Sequence, residues 1–383
     1  MNTRKTVYNL LLRMEKGAYS QIILDGELKN HEFIQRDKAF VTTLFYGVLE
    51  RQITLDYAID RQTGSKKPEK EIRVLLRMAL YQILFMDSVP DNAAVNESVE
   101  LSPSRAKGYV NAVLRNFLRS DRDFIKGESL ENLDLYVKYS CPQWLIDKFR
   151  DEYGEEALMQ ILTTSLLKPP EFTRTFMVSA PGEAGKRAEV LRQDLSSQQA
   201  CELFNPQPGE IIIDLCAAPG GKSFTIASLM NNQGRVISCD INRKKLKTVE
   251  KTAERLGLSI IETHENDAKI FNPDFPAADR VLCDVPCSGL GVIRRKPEIK
   301  YKNPGDFEGL PEIQSQILQT ASRYVKESGT LMYSTCTLSR AENDDVIVNF
   351  LSNNSDFKLV DKHTVIPSRD GGDGFFTAVL RRY

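Results

Sequence analysis

A chain of 383 residues with 41% hydrophobic and 27% charged residues is too long for one small domain and too ordinary in composition to be disordered, collagen-like or of low complexity. Its 51 Lys and Arg against 52 Asp and Glu leave a formal charge of −1, which excludes a uniformly basic nucleic-acid binder and leaves room for local basic patches. No apolar run approaches the roughly 18 to 20 residues that span a bilayer, and MNTRKTVYNLLLRMEKGAYSQ carries no small-residue cleavage site, so a cytoplasmic protein without a membrane partner is expected.

Residues 1 to about 125 read as helix after helix, because apolar residues recur at three and four rather than alternating. In EIRVLLRMALYQILFMDSV, Ile72, Leu75, Leu76, Ala79, Leu80, Ile83 and Met86 form one stripe, with Glu71, Arg73, Arg77 and Gln82 outside it. Phe40, Val41, Leu44, Phe45, Val48 and Leu49 repeat the pattern. An all-helical bundle is predicted, which taken alone reads as a packing or oligomerisation module. One stretch argues for more. From Ser104 to Lys126 the basic residues Arg105, Lys107, Arg115, Arg119, Arg122 and Lys126 are set against only Asp121 and Asp123, a local charge of +4 that suits phosphates.

From about 140 to 205 the pattern stays helical but is broken by Pro142, Pro169, Pro170, Pro181 and Gly182, as in a connector packed on a larger domain. From Glu210 the texture changes. The runs EIIIDLC, GRVISCD, LSIIETHE, DRVLCDV, GTLMYSTC and GFFTAVLRRY alternate with helical stretches. That alternation predicts an α/β domain built on a parallel sheet with right-handed crossovers.

In an open α/β sheet the ligand lies outside the carboxyl ends of the strands. The first run ends in Asp214 and Leu215, followed by Cys216, Ala217, Ala218, Pro219, Gly220, Gly221 and Lys222, and a helix then begins. Glycines remove Cβ atoms where a ligand approaches the backbone, and the helix start offers unpaired N–H groups. A phosphate-binding loop would need glycine at position 216, which is cysteine, and the GxGxxG spacing is absent. Asp240 ends the second run about twenty residues on, where an acid accepts hydrogen bonds from ribose hydroxyls. An adenosine-type cofactor follows, with Asp267 after the third run suited to its adenine end.

Seven cysteines, at 141, 201, 216, 239, 283, 287 and 336, lack paired CxxC spacing, and His31, His264 and His363 are isolated, so no metal site is expected. Two of the thiols stand apart. Cys287 follows Asp284 at the fourth strand end and Cys336 lies at the fifth, where crevice positions flanked by small polar residues make a core role less natural. A thiol there is a strong nucleophile for an electron-poor carbon. The stretch Val292 to Lys302 holds Arg294, Arg295, Lys296, Lys300 and Lys302 against Glu298 alone, a second +4 patch that would hold a polyanion beside the thiols.

DLCAAPGGK, the acid in SCDIN, DVPCSGLGVIRRKPEIK and YSTCTLSRAEN resemble, in order and spacing, the motifs of RNA cytosine-5 methyltransferases. FVTTLFYGVLER, LLRMALYQILFM, NAAVNESVEL and GYVNAVLRNFL resemble the NusB-like domain that marks the RsmB (Sun) branch, which modifies 16S ribosomal RNA, and DGGDGFFTAVLRR resembles its closing strand pair. The resemblance implies a NusB-like RNA-binding domain at 1–125, a connector with a reduced RNA-binding subdomain at 126–205, and a Rossmann-like S-adenosylmethionine-dependent methyltransferase domain at 206–383. It implies that Cys216 to Lys222, Asp240, Asp267 and Asp284 line the cofactor site, with Cys336 the nucleophile, Cys287 its helper and Asp284 on the cytosine ring. Spacing alone leaves open which thiol attacks, since DNA methyltransferases of the same chemistry use the Pro-Cys thiol. The expected partner is 16S ribosomal RNA or a small-subunit assembly intermediate, met by a monomer.

The chain departs from the family before the catalytic domain. Relatives carry an Arg-x-Asn element, a small α/β subdomain and a Gln-Asp-x-x-Ser-Gln-like segment. Here Arg174, Gln193, Asp194, Ser197 and Gln198 match, but Phe176 stands at the asparagine position, and the short stretch from Arg174 to Gln193 is too brief for that subdomain. Two other readings therefore stay open: transfer RNA as substrate, and a ribosome-assembly RNA-binding factor with little or no catalysis.

Overall fold

The computed structural model describes residues 2–30, 32–122, 132–179 and 186–383. Where apolar residues recur at three and four, the backbone is helical: α1 (Thr3–Met14), α2 (Ser20–Asn30), α3 (Gln35–Glu50), α4 (Gln52–Thr63), α5 (Lys70–Phe85), α6 (Asp91–Leu101) and α7 (Lys107–Ser120). None of the helices among the described residues is long and apolar enough to cross a membrane. The chain divides into two units, residues 1–167 with 293–302, and residues 168–292 with 303–383.

In the helical unit α5 is buried almost all round rather than along one stripe. Val74, Met78, Tyr81 and Leu84 fill the face that the sequence reading left outside, and they take Arg77 and Gln82 in with them. Both polar groups are satisfied. Arg77 donates to Asp56 through Nε and Nη2 at 2.8 and 2.7 Å and to Glu15 at 2.7 Å, while Gln82 accepts from Arg4 at 2.7 Å. A buried guanidinium is tolerable only with such carboxylate partners.

The two basic stretches are less available than their charge suggests. On and beside α7, Arg105 pairs with Glu69, Lys107 with Glu100 and Arg122 with Asp91, while Arg115 and Arg119 lie exposed. Asp123 and Lys126 lie outside the described residues. In the second stretch Arg294 and Lys300 are buried, and Lys296 and Lys302 are exposed. The expectation of an open five-cation patch is corrected there, because residues 293–302 form part of the helical unit. Lys300 Nζ donates to the Glu50 carbonyl at 3.1 Å, the Tyr301 hydroxyl to the same carbonyl at 3.3 Å, and Ser20 N–H and O–H to Glu298 at 3.2 and 2.7 Å. Burial lowers Lys300 to about 8 and raises Glu50 to about 7.

The second unit opens with a hairpin that corrects the helical reading of this stretch. β1 (Thr173–Ser179) and β2 (Lys186–Arg192) pair antiparallel, with Phe176 and Val178 buried and Met177 exposed between them. Alternation at period two, not the prolines, is the signal that decides it.

The main sheet comprises β3 (Ile211–Asp214), β4 (Arg235–Asp240), β5 (Ile261–Glu265), β6 (Ala278–Asp284), β7 (Val325–Thr335), β8 (Phe357–Val365) and β9 (Phe375–Arg382) in the order β5-β4-β3-β6-β7-β9-β8. The first five are parallel, but β9 runs antiparallel to β7, and β8 antiparallel to β9. The sheet is mixed rather than purely parallel. Strands buried on both faces read as continuous apolar runs: Ile212, Leu282 and Met332 pack with Phe224 and Val249 on one face, and Ile213, Val281 and Leu331 with Ile317 and Phe350 on the other. The chain moves outward from β3 through β4 to β5 and then returns to place β6 on the opposite side of β3. This is a switch point, with a crevice beyond the carboxyl ends of β3 and β6.

Candidate active site

Everything proposed from the strand ends lies in the second unit. At the tip of β3 the Asp214 carboxyl is buried, accepting from the Ser223 hydroxyl at 2.7 Å, and Ser223 in turn accepts from Ser238 at 2.9 Å. The other oxygen, Oδ1, has no hydrogen-bond partner. Burial pushes this carboxyl up to about 7, opposed by the Ser223 hydrogen bond. Sequence reasoning passed over Asp214, since an acid closing an apolar run looks like the first solvent-facing residue.

The loop Cys216 to Lys222 then turns into the helix Gly221–Leu229. Gly220 holds φ at +107°, and any Cβ there would collide with the Phe224 ring. At Gly221, by contrast, a Cβ would find Gln193 Nε2 as its nearest neighbour at 3.7 Å, so the space above this glycine is open. Gln193 braces the loop, donating to the Gly221 carbonyl at 3.2 Å and accepting from Thr225 at 2.8 Å. Ala217 N–H donates to the Cys239 carbonyl and Gly220 N–H to the Ala217 carbonyl, both at 2.7 Å, while Pro219 is exposed and Ala218 half-buried. Burial raises the Cys216 thiol well above the ordinary range.

Asp240 ends β4 with Oδ1 fixed by the Asn242 amide at 2.8 Å, and Asp267 is fixed the same way by the Lys269 amide at 3.0 Å. At the tip of β6, Asp284 receives Lys222 Nζ at 2.7 Å on one oxygen and the Ser334 hydroxyl at 2.9 Å on the other. Burial alone would lower Lys222, but the facing Asp284 carboxylate carries it above its ordinary value.

Beyond Asp284 the two crevice cysteines meet. Cys287 Sγ and Cys336 Sγ stand 3.2 Å apart, both half-buried, whereas Cys141, Cys201, Cys239 and Cys283 are buried. The hydrogen bond to Cys336 pushes Cys287 well above the ordinary thiol range, reinforced by burial and by the charge of Glu342. Either sulfur could donate the proton in this contact.

Two family models match separate stretches of the chain. The family model for 16S rRNA methyltransferase RsmB/F matches residues 201–381, and the NusB family model matches residues 1–119. The chain is 34% identical to the probable ribosomal RNA small subunit methyltransferase B of Bacillus subtilis, across 100% of this chain and 99% of that one. The chain belongs to the ribosomal RNA small subunit methyltransferase B family. The Synechocystis member is 32% identical, with 96% of each chain covered. The fold is also that of the solved structure of PH0851, at a TM-score of 0.77 and 23% identity over 100% of this chain and 99% of that one.

As a member of that family the protein is an S-adenosylmethionine-dependent methyltransferase with an RNA substrate, a NusB-type helical unit and a Rossmann-like sheet. The crevice residues fit such a cofactor. The space over Gly221 is open and the Asp240 carboxylate is oriented by the Asn242 amide, both compatible with a nucleoside at these strand ends.

Proposed function

We propose that this methyltransferase modifies C5 of a cytosine in 16S ribosomal RNA through a covalent bond between Cys336 and C6 of the base. The observation that carries the reading is the pair of thiols 3.2 Å apart next to an Asp284 carboxylate held on both oxygens. C5 of cytosine is a poor nucleophile until a thiolate adds to C6 and turns C5 into an enamine carbon.

As the S–C6 bond forms, the displaced electron pair moves into the ring toward N3, where Asp284, in its protonated form, would bind N3 or give it the proton. Cys216, Ala217, Ala218, Pro219, Gly220, Gly221, Lys222, Asp240, Asp267 and Asp284 would hold S-adenosylmethionine, which when bound would supply the electrophilic methyl group and leave as S-adenosylhomocysteine. A base then takes the C5 proton, the double bond re-forms and the sulfur leaves. Cys287 suits this last step because its sulfur lies 3.2 Å from the sulfur that must leave. The base must be unstacked or come from a single-stranded loop. The same reading takes 1–125 as the RNA-binding module, 126–205 as the connector and 206–383 as the catalytic part, acting as a monomer in the cytoplasm on 16S RNA or an assembly intermediate.

The test is transfer of labelled methyl to unmethylated 16S RNA. Cys336→Ala should abolish incorporation, and Cys287→Ala should accumulate a protein–RNA adduct that survives denaturation. Adduct formation by Cys336→Ala instead would exchange the two roles, and no incorporation by the wild type into 16S RNA would overturn the reading.

A further inference from the structure

The residue after each crevice cysteine is tied to one buried carboxylate. Glu342, 2% exposed, accepts from the Ser288 amide at 2.8 Å and the Ser288 hydroxyl at 2.5 Å, and from the Thr337 hydroxyl at 3.4 Å. Gln314 Nε2 donates to it at 2.9 Å and also to the Pro286 carbonyl at 2.9 Å, one residue before Cys287. The Ser288 and Thr337 hydroxyls lie 2.7 Å from each other. Around this knot Asn343 Nδ2 donates to the Thr337 carbonyl at 3.0 Å and Gly291 N–H to the Cys336 carbonyl at 3.0 Å. Two loops from different strands are thus stitched together through a single side chain. A buried carboxylate costs desolvation, and four donors converging on it offset that.

We propose that Glu342 is a positioning residue for the two thiols: by bridging Ser288 and Thr337 it sets the separation of Cys287 from Cys336 on which their division of labour depends. This rests on the reading of the pair as nucleophile and helper. A shift of about an ångström between them would cost roughly a hundredfold in rate. Glu342 also adds a negative charge near Cys287. Tyr333 also faces Cys287, and Lys222, paired with Asp284, faces Cys336; these groups remain when Glu342 is replaced.

The test uses full-length protein carrying Glu342→Gln, with Ser288→Ala as a second variant that keeps the carboxylate and removes one donor. Folding is checked by circular dichroism. Phenylarsine oxide, which must bridge two adjacent thiols, reads the geometry without any turnover, and single-turnover methyl transfer across pH reads the chemistry. Wild type should bind the arsenical through Cys287 and Cys336 and lose it on alkylation of either. Glu342→Gln should bind it at least about tenfold more weakly, with methyl transfer reduced by a similar factor, unchanged cofactor affinity and a pH profile displaced to lower pH. Ser288→Ala should fall between the two. A folded Glu342→Gln protein with wild-type arsenical affinity and pH profile would overturn the proposal. Tight arsenical binding by a wild type that transfers no methyl would instead count against the methylation reading and leave the positioning role intact.

Discussion

Replacing Asp214 by Asn should change how stability depends on pH more than it changes stability itself. The carboxyl is about 1% exposed and is raised from 3.8 to about 7, chiefly by burial. An acid that holds its proton more tightly when folded imposes no penalty below its unfolded pKa. The penalty grows as pH rises from 3.8 and levels off above about 7. Integrated between pH 5 and pH 8.5, the loss is about 2 to 3 kcal/mol. Asn cannot ionise, and its carbonyl oxygen can still accept from Ser223, but its amide takes the place of an Oδ1 that has no partner. That buried unsatisfied donor costs about 1 to 3 kcal/mol at every pH. The two effects separate cleanly, because one is constant and the other slopes. Urea denaturation of cofactor-free wild type and Asp214→Asn at pH 5 and pH 8.5 should show the variant gaining about 2 to 3 kcal/mol relative to wild type across that interval. Parallel stabilities at the two pH values would show that Asp214 is not held protonated by burial, and the reasoning about the β3 tip would fail.

Gly220→Ala should destabilise the protein by about 2 kcal/mol, since φ of +107° and the Phe224 ring both oppose a Cβ. Gly221→Ala should leave thermal stability nearly unchanged yet weaken binding of S-adenosylhomocysteine, measured by calorimetry; equal affinity in the two proteins would mean that the space over Gly221 is not the cofactor cradle. Arg77→Met leaves Glu15 facing an apolar chain and Asp56 with Arg73 alone, so a loss of about 3 kcal/mol is expected in thermal unfolding followed by Trp144 fluorescence. A variant of wild-type stability would show that the ionic cluster adds nothing beyond a hydrophobic side chain.

The crevice was legible because it is built at strand ends, and strand ends follow apolar runs. Asp240, Asp284, Cys287 and Cys336 can be placed at or just beyond strand ends in this way, without knowledge of contacts. What escaped was whatever depends on partners distant in sequence. Glu342 sits 54 residues from Ser288, and nothing in SRAEN signals that its carboxylate is buried. β8 was missed because an edge strand with only Phe357 buried, FKLVDKHTV, lacks the apolar run by which the central strands were recognised. Periodicity places Arg77 and Gln82 outside the apolar stripe of α5, because it reports the angle of a side chain around its helix but not how many neighbours surround that helix. Arg294 and Lys300 were counted as free charge for the same reason: composition sums charges without asking which are buried.

The membership of residues 293–302 in the helical unit has a consequence for the order in which the protein is made. Lys300 and Tyr301 complete hydrogen bonds to Glu50, and Glu298 to Ser20, yet translation reaches these residues long after Leu167, where the first part of that unit ends. At ordinary rates of synthesis the interval is on the order of ten seconds. During it the hydrogen bonds of this segment to Glu50 and Ser20 are unmade, so the helical unit is complete only when a much later stretch of chain has arrived. Its last piece arrives on a segment of the chain that begins just after the first crevice cysteine.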